Sequence, residues 1–332
     1  MIIAVVGLCG CGLSSIHHGS VSRSTLNQLQ SQAVTPDQAQ SMLRRGHIAT
    51  GSLTPAGRLM RLPMHKDRAG MPHLEVSLNG NSAEKLLFDT GATVSVFDAN
   101  MAIDHDISTV PGVKPQMLGV MGSEAGMGGI LASLSIGPWQ LTHVPCVVRL
   151  QRSSSRMGLL GQNYDISVMG FNLARKYCSF LTLDYPRGYV DFGFGDTFRG
   201  ATSRHVARSP LQYIHGVPAA RVTAGKVSWD AVVDSGSSFG VEIDQALAKK
   251  LGHATGGQAV VGNYVMVGVG GAVTPQQAGV RILNFPQLRM LGSTFKNAQV
   301  DVMPGPARIG SYFLKDYRIT FDFRRQLIWL EW

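Results

Sequence analysis

Two stretches of this chain repeat one another at a distance. FDTGATVSVF occupies residues 88–97 and VVDSGSSFGV residues 232–241. In each, apolar residues lead into an Asp, a small hydroxylic residue and a Gly, and a β-rich run follows. Asp89 and Asp234 lie 145 positions apart (234 − 89). Singly, either stretch reads as a strand ended by a turn, since Asp and Gly end strands in most folds. Together they constrain the fold, because the flanks repeat too. MPHLEVSLNGNSAEKLLFDTG reads as a strand, an Asn79-Gly80 hairpin signal and a second strand. VPAARVTAGKVSWDAVVDSG has the same order before Asp234. Downstream, residues 129–148 match 287–302, and 168–192 match 308–330, with Gly170 answering Gly310 and Asp184 answering Asp322. Features in the same order at nearly constant spacing imply two homologous lobes, 58–205 and 206–332.

The lobes read as all-β. Short Val, Ile, Leu, Thr and Phe runs are broken by many of the 39 glycines, and long amphipathic helical patterns are scarce. A duplicated lobe places equivalent points around a pseudo-twofold axis. The loops carrying Asp89 and Asp234 are expected to meet on it. Two carboxyls in contact cannot both ionise, so they share a proton, which suits acid–base chemistry.

Other functions find less support. The net charge is +9, but its densest spots are only Arg44-Arg45 and Arg324-Arg325. A nucleic-acid groove needs a basic stripe with interleaved aromatics. The start, MIIAVVGLCGCGLSS, has Cys9 where a dinucleotide loop needs Gly and Leu13 where a phosphate loop needs Lys. Cys9, Cys11, His17 and His18 fit no common zinc spacing, so no metal or cofactor is expected. The apolar run is too short to span a bilayer but suits the core of a secretory signal. Leu8-Cys9-Gly10-Cys11 resembles a bacterial lipobox, which would make Cys11 a lipidated first residue. Residues 1–19 are therefore expected to act as a signal or lipoprotein segment. This implies export to the periplasm, with membrane anchoring through Cys11.

Residues 20–57 are polar, and fit either a linker or a pro-segment. Thr35 as N-cap, Pro36 in the first turn, Gln38 closing a capping box and Arg44-Arg45 at the end predict a helix over 35–45. Cys146 and Cys178 fit a disulfide and two buried free thiols equally well.

The paired motifs resemble those of the aspartic proteases, over about 275 of the 332 residues. Asp89-Thr90-Gly91-Ala92 is similar to the retropepsin form of the active-site loop, and Asp234-Ser235-Gly236-Ser237 to the pepsin form. Met169-Gly170 and Ile309-Gly310 resemble the apolar-apolar-Gly element beneath each loop; Leu159-Leu160-Gly161 is a rival in the first lobe. The resemblance implies a bilobal pepsin-like fold of two β-barrel-like lobes. The small lobes are similar to single-lobe retroviral-type proteases of bacteria, here fused in tandem. It also implies glycine-rich flaps over the cleft. One falls within 118–129, with Gly122, Gly126 and Gly128, and one within 265–274, with Gly268 and Gly270. The first lacks the Tyr of a pepsin flap, as retropepsin flaps do.

The implied activity is that of an aspartic endopeptidase acting on protein or peptide substrates, as a monomer. Asp89 and Asp234 would activate a water between them. Gly91 and Gly236 would donate backbone N–H groups to them, and Thr90 and Ser235 would cross-link the loops beneath. Ser237 is expected to donate a further hydrogen bond to the carboxylate system, and Ala92 cannot. That difference predicts activity at mildly acidic to neutral pH. The other reading is an envelope binding or scaffolding protein that keeps the fold without catalysis; two intact Asp-Thr/Ser-Gly loops weigh against it.

Overall fold

The computed structural model describes residues 3–6, 16–45, 59–157, 160–163, 166–202, 205–261 and 265–332. Cys9, Cys11 and Leu159 lie outside them. The described chain is dominated by β-strands, with six short helices.

The first-lobe sheet runs in the order His65–Lys66, Pro72–Leu78, Ala83–Asp89, Val168–Gly170, Ser95–Asp98, Trp139–Arg149, Gly122–Ile136 and Ser108–Val110. The second runs Gln212–Ile214, Val217–Ala224, Val227–Asp234, Arg308–Gly310, Val241–Ile243, Ser293–Val302, Arg281–Met290 and Gln258–Ala259. The two orders correspond strand for strand. Each sheet closes on itself, because Pro72–Leu78 also pairs with Gly122–Ile136, and Val217–Ala224 with Arg281–Met290. The result is two closed six-stranded barrels.

Local chemistry explains the strands. Pro72–Leu78 alternates between buried and more open positions, as a strand with one face on a core must. The turn after it uses positive φ at Asn79 and Gly80, at 52° and 77°. Leu86, Phe88 and Met169 of the first lobe and Val233 and Ile309 of the second are buried in one continuous apolar core. Trp139 anchors the first lobe, its ring centroid 5.9, 5.6 and 5.2 Å from those of Tyr177, Phe192 and Phe194. Burying one such ring stabilises by roughly 1.5–3 kcal/mol.

A six-stranded sheet joins the lobes. Its order is Val206–Pro210, Leu327–Glu331, Arg318–Asp322, Phe180–Asp184, Tyr189–Gly193 and Leu59–Pro63. The pseudo-twofold passes through its centre, where Thr182 pairs with Thr320 and the two hydroxyls are 2.7 Å apart. Asp184 and Asp322 accept hydrogen bonds from the nearby backbone N–H groups of Arg187 and of Arg324 and Arg325, a local structural role.

Residues 16–45 pack mainly on the first lobe, and His18 also lies against Gly271 of the second. The helix Pro36–Arg45 has the reciprocal cap read from the sequence: Thr35 N donates to Gln38 Oε1 at 2.8 Å, and Gln38 N to Thr35 Oγ1 at 3.2 Å. A second helix, Arg23–Ser31, was not anticipated; Ser22 caps it and its Leu29 is wholly buried. Thr109 Oγ1 donates to the Leu29 carbonyl at 2.7 Å and ties that helix to the barrel. Ile16–Ser20 pairs with Gln151–Met157, and Ile3–Val6 pairs with Val265–Gly268. Cys146 and Cys178 are free thiols, and burial pushes the Cys146 thiol up to about 12. No helix among the described residues is long and apolar enough to cross a membrane.

Candidate active site

Asp89 and Asp234 each end a barrel strand. Each is held by a short strand running parallel beside it: Gly170 is in register with Asp89, and Gly310 with Asp234. These are the apolar-apolar-Gly elements at Met169-Gly170 and Ile309-Gly310. The rival stretch is placed elsewhere, since Leu160–Asn163 pairs with Gln151–Met157. Both loops turn identically: Ala92 N reaches the Asp89 carbonyl and Ser237 N the Asp234 carbonyl, each at 3.3 Å.

The two loops interlock beneath the carboxyls. Thr90 N donates to Ser235 Oγ and Ser235 N to Thr90 Oγ1, both at 2.9 Å. Each hydroxyl then donates onward across the axis, Thr90 Oγ1 to the Val233 carbonyl at 2.7 Å and Ser235 Oγ to the Phe88 carbonyl at 2.6 Å. Gly91 N donates to Asp89 Oδ1 at 2.7 Å, and Gly236 N to Asp234 Oδ1 at 2.9 Å. Glycine is required at both positions, because a Cβ on Gly91 would fall on the Asp234 carboxyl and one on Gly236 on that of Asp89.

Both carboxyls are wholly buried, and each leaves its Oδ2 without a protein partner. Burial, and then the adjacent charge of Asp234, hold the Asp89 carboxyl well above the usual carboxylate range, against the pull of the Gly91 N–H. Below the loops, Ser311 Oγ donates to the Ser235 carbonyl at 2.7 Å, and the Tyr185 hydroxyl lies 3.0 Å from Ser311 Oγ. Burial, with the charges of Asp234 and Asp89 adding to it, keeps that phenol neutral. Tyr185 and Ser311 carry no motif of their own, and their support is visible only in three dimensions.

One expectation is corrected. Ser237 Oγ does not donate to Asp234; it donates to Glu242, which is also paired with Arg308. All three are buried. Burial pushes the Glu242 carboxyl up to about 7, with Arg308 and Ser237 pulling the other way. Ala92, the counterpart of Ser237, packs in an apolar cluster. A charged residue inside each short apolar strand, VEI and RIG, was the available signal for this network.

Two hairpins pack against the first active-site loop, Met117 of one and Val265, Val267 and Val269 of the other clustering with Ala92. Gln116–Gly119 turns into Gly122–Ile136, and Val265–Gly268 turns into Gly271–Val273. Gly122 and Gly270 take positive φ in the turns. The tips touch, since a Cβ on Gly270 would strike the Met121–Gly122 backbone. Gly126 and Gly128 lie in the strand behind the tip, against Val147 and Val113. A buried ion pair fastens one hairpin to the other. Arg149 Nε meets Glu124 Oε1 at 2.5 Å, Arg149 Nη2 donates to the Gly268 carbonyl at 3.0 Å, and Gly270 N donates to Glu124 Oε2 at 3.1 Å. Sequence reasoning did not single out Glu124 or Arg149.

A family model described as aspartyl protease matches residues 74–164, within the first lobe. No curated protein matches the chain by sequence. Among solved structures, the aspartic proteinase from Irpex lacteus superposes with a TM-score of 0.50 at 15% identity, over 82% of this chain and 97% of that one. Two closed barrels joined by one sheet, with an Asp-Thr/Ser-Gly loop from each meeting on the axis, give this chain the bilobal fold of the pepsin-like aspartic proteases.

Proposed function

We propose that the protein is an aspartic endopeptidase and that Asp89 and Asp234 are its catalytic pair. The observation that carries the reading is the reciprocal Thr90–Ser235 interlock. It holds two buried carboxyls together with one unpartnered oxygen on each. The two carboxyls share one proton. The ionised one takes a proton from an attacking water, and the water adds to the scissile carbonyl carbon. The protonated one hydrogen-bonds the carbonyl oxygen and steadies the charge that develops there. The proton gained by the base then passes to the leaving amine as the C–N bond breaks. Tyr185, Ser311 and the interlock hold the loops still while this happens. The pair titrates as a unit, so the pH profile of kcat/KM reports apparent values of the dyad and not of either residue.

The test is hydrolysis of a peptide library by the purified protein, with pepstatin as a probe. Asp89→Asn and Asp234→Asn are each expected to lower kcat/KM by about 10²–10⁴-fold while keeping the circular dichroism of the parent. Undiminished cleavage by either variant sinks the assignment. Export and anchoring at Cys11 belong to the same reading; Cys11→Ala should lose fatty-acid labelling in cells, and equal labelling of variant and parent rejects the anchor.

A further inference from the structure

The two sheet faces that carry Asp89 and Asp234 differ in chemistry at the same positions. Residues paired across a sheet project to the same face. In the first lobe, Leu87 is paired with Val168, and Val168 with Val96, on the face that carries Asp89. In the second, Val232 is paired with Arg308, and Arg308 with Glu242, on the face that carries Asp234. The opposite face holds Phe88 and Met169 in one lobe and Val233 and Ile309 in the other, all in the core. Beside Asp89 the wall is therefore Leu87, Val96 and Val168, clustered with Met117 of the first hairpin and Val265, Val267 and Val269 of the second. Beside Asp234 it is an ion pair. Both walls lie two residues from their Asp, about 7 Å along the strand, within reach of the side chains that flank a bond held at the dyad.

The ion pair leaves donors unused. Arg308 is wholly buried, and its Nη2 meets Glu242 and lies 3.7 Å from Met303 Sδ. Its Nε and Nη1 have no partner. Met303 clusters with Met266 of the second hairpin and Val120 at the tip of the first, so the guanidinium lies beneath the hairpins. A purely structural role is poorly served by such a group. Buried ion pairs are often replaceable by apolar residues without loss of stability, and the counterpart positions in the first lobe are the apolar Val96 and Val168. A guanidinium with free N–H groups suits a ligand carboxylate.

Resting on the peptidase reading, we propose that Arg308 is a specificity-determining residue that receives an acidic side chain of the substrate, while the wall of Leu87, Val96 and Val168 receives an apolar one. The preferred substrate is a peptide with an apolar residue on one side of the scissile bond and Asp or Glu on the other. Glu242 orients the guanidinium and, raised toward neutrality by its burial, offsets less of its charge in mildly acidic solution.

The experiment measures binding separately from cleavage. Reduced-bond hexapeptides carry Leu on one side of the scissile position and Glu, Leu or Lys on the other, in both orders. Calorimetry with the full-chain Asp89→Asn protein should show one Glu peptide binding at least about tenfold tighter than its Leu analogue, with Lys weakest. The Glu242→Val/Arg308→Val protein, which copies the first-lobe wall, should lose that preference. Equal binding of the Glu and Leu peptides overturns the inference without any variant of the pair, and so does a preference kept by the double variant. Selective, Arg308-dependent binding with no hydrolysis of the amide versions by the parent leaves the inference standing and removes the peptidase reading. Hydrolysis without a preference for Glu does the reverse.

Discussion

Thr90 and Ser235 do more than position their neighbours. Thr90 Oγ1 accepts from Ser235 N and donates to the Val233 carbonyl, so Thr90→Ala strands two buried backbone groups at once. The expected cost is roughly 2–4 kcal/mol, read as a lower urea midpoint, with Thr90→Ser largely restoring it. Loss of activity without loss of stability would contradict this account. Buried carboxyls make a second residue-scale prediction. Burial raises Glu242 to about 7 and Asp301 to about 6, and it raises Asp89 as well. A carboxyl raised in the folded state stabilises when protonated. That stability is complete below the unfolded value of about 4 and is lost as pH climbs through the folded value. The parent should therefore be more stable to urea near pH 5 than near pH 8, and Asp301→Asn should flatten the difference. An unchanged slope in Asp301→Asn would remove Asp301 from the cause. At this scale the sequence was informative where a residue sat in a repeated motif. Asp89, Asp234, Thr90, Ser235 and both loop glycines were readable from it. The partner of Ser237 was not, because Glu242 reaches it only through the register of Val241–Ile243 against Arg308–Gly310.

Among the elements, the hairpins depend on their fastening. Glu124 and Arg149 are buried together, and both bind the backbone of the second hairpin. Arg149→Met leaves the Glu124 charge unpaired, a loss of about 3–5 kcal/mol where burial is complete. Amide hydrogen exchange at residues 265–271 should quicken in that variant, while exchange in Phe180–Asp184 changes far less. Uniform quickening would mean global destabilisation instead of release of the hairpin. The family resemblance implied glycine-rich hairpins within 118–129 and 265–274, but not that their tips meet, since contacts between lobes have no local signature. Helices divide the same way. Pro36–Arg45 was legible through its capping box. Arg23–Ser31 offers only Leu26 and Leu29 as apolar positions, and its stability comes from docking against Thr109.

The whole molecule is built around a floor that neither lobe owns. Phe180–Asp184 is buried along its full length between its own lobe's Tyr189–Gly193 and the other lobe's Arg318–Asp322. Phe171 packs against both Phe321 and Phe323 across the same boundary. Separating the lobes exposes that strand and breaks the interlock, so unfolding should be a single transition, with fluorescence and circular dichroism coincident. Residues 205–332 expressed alone should not give a stable monomer. Two resolved transitions would show the lobes to be independent.

The pairing of Thr182 with Thr320 on the axis also bears on how such a chain can change over time. In a symmetric homodimer, every substitution appears on both sides of the cleft at once. Here each side is written in its own stretch of sequence, so one wall can mutate while the other is conserved. Ala92 against Ser237, Val96 against Glu242 and Val168 against Arg308 are three places where the copies have already parted. Fusing the halves frees each flank of a two-sided site to evolve on its own.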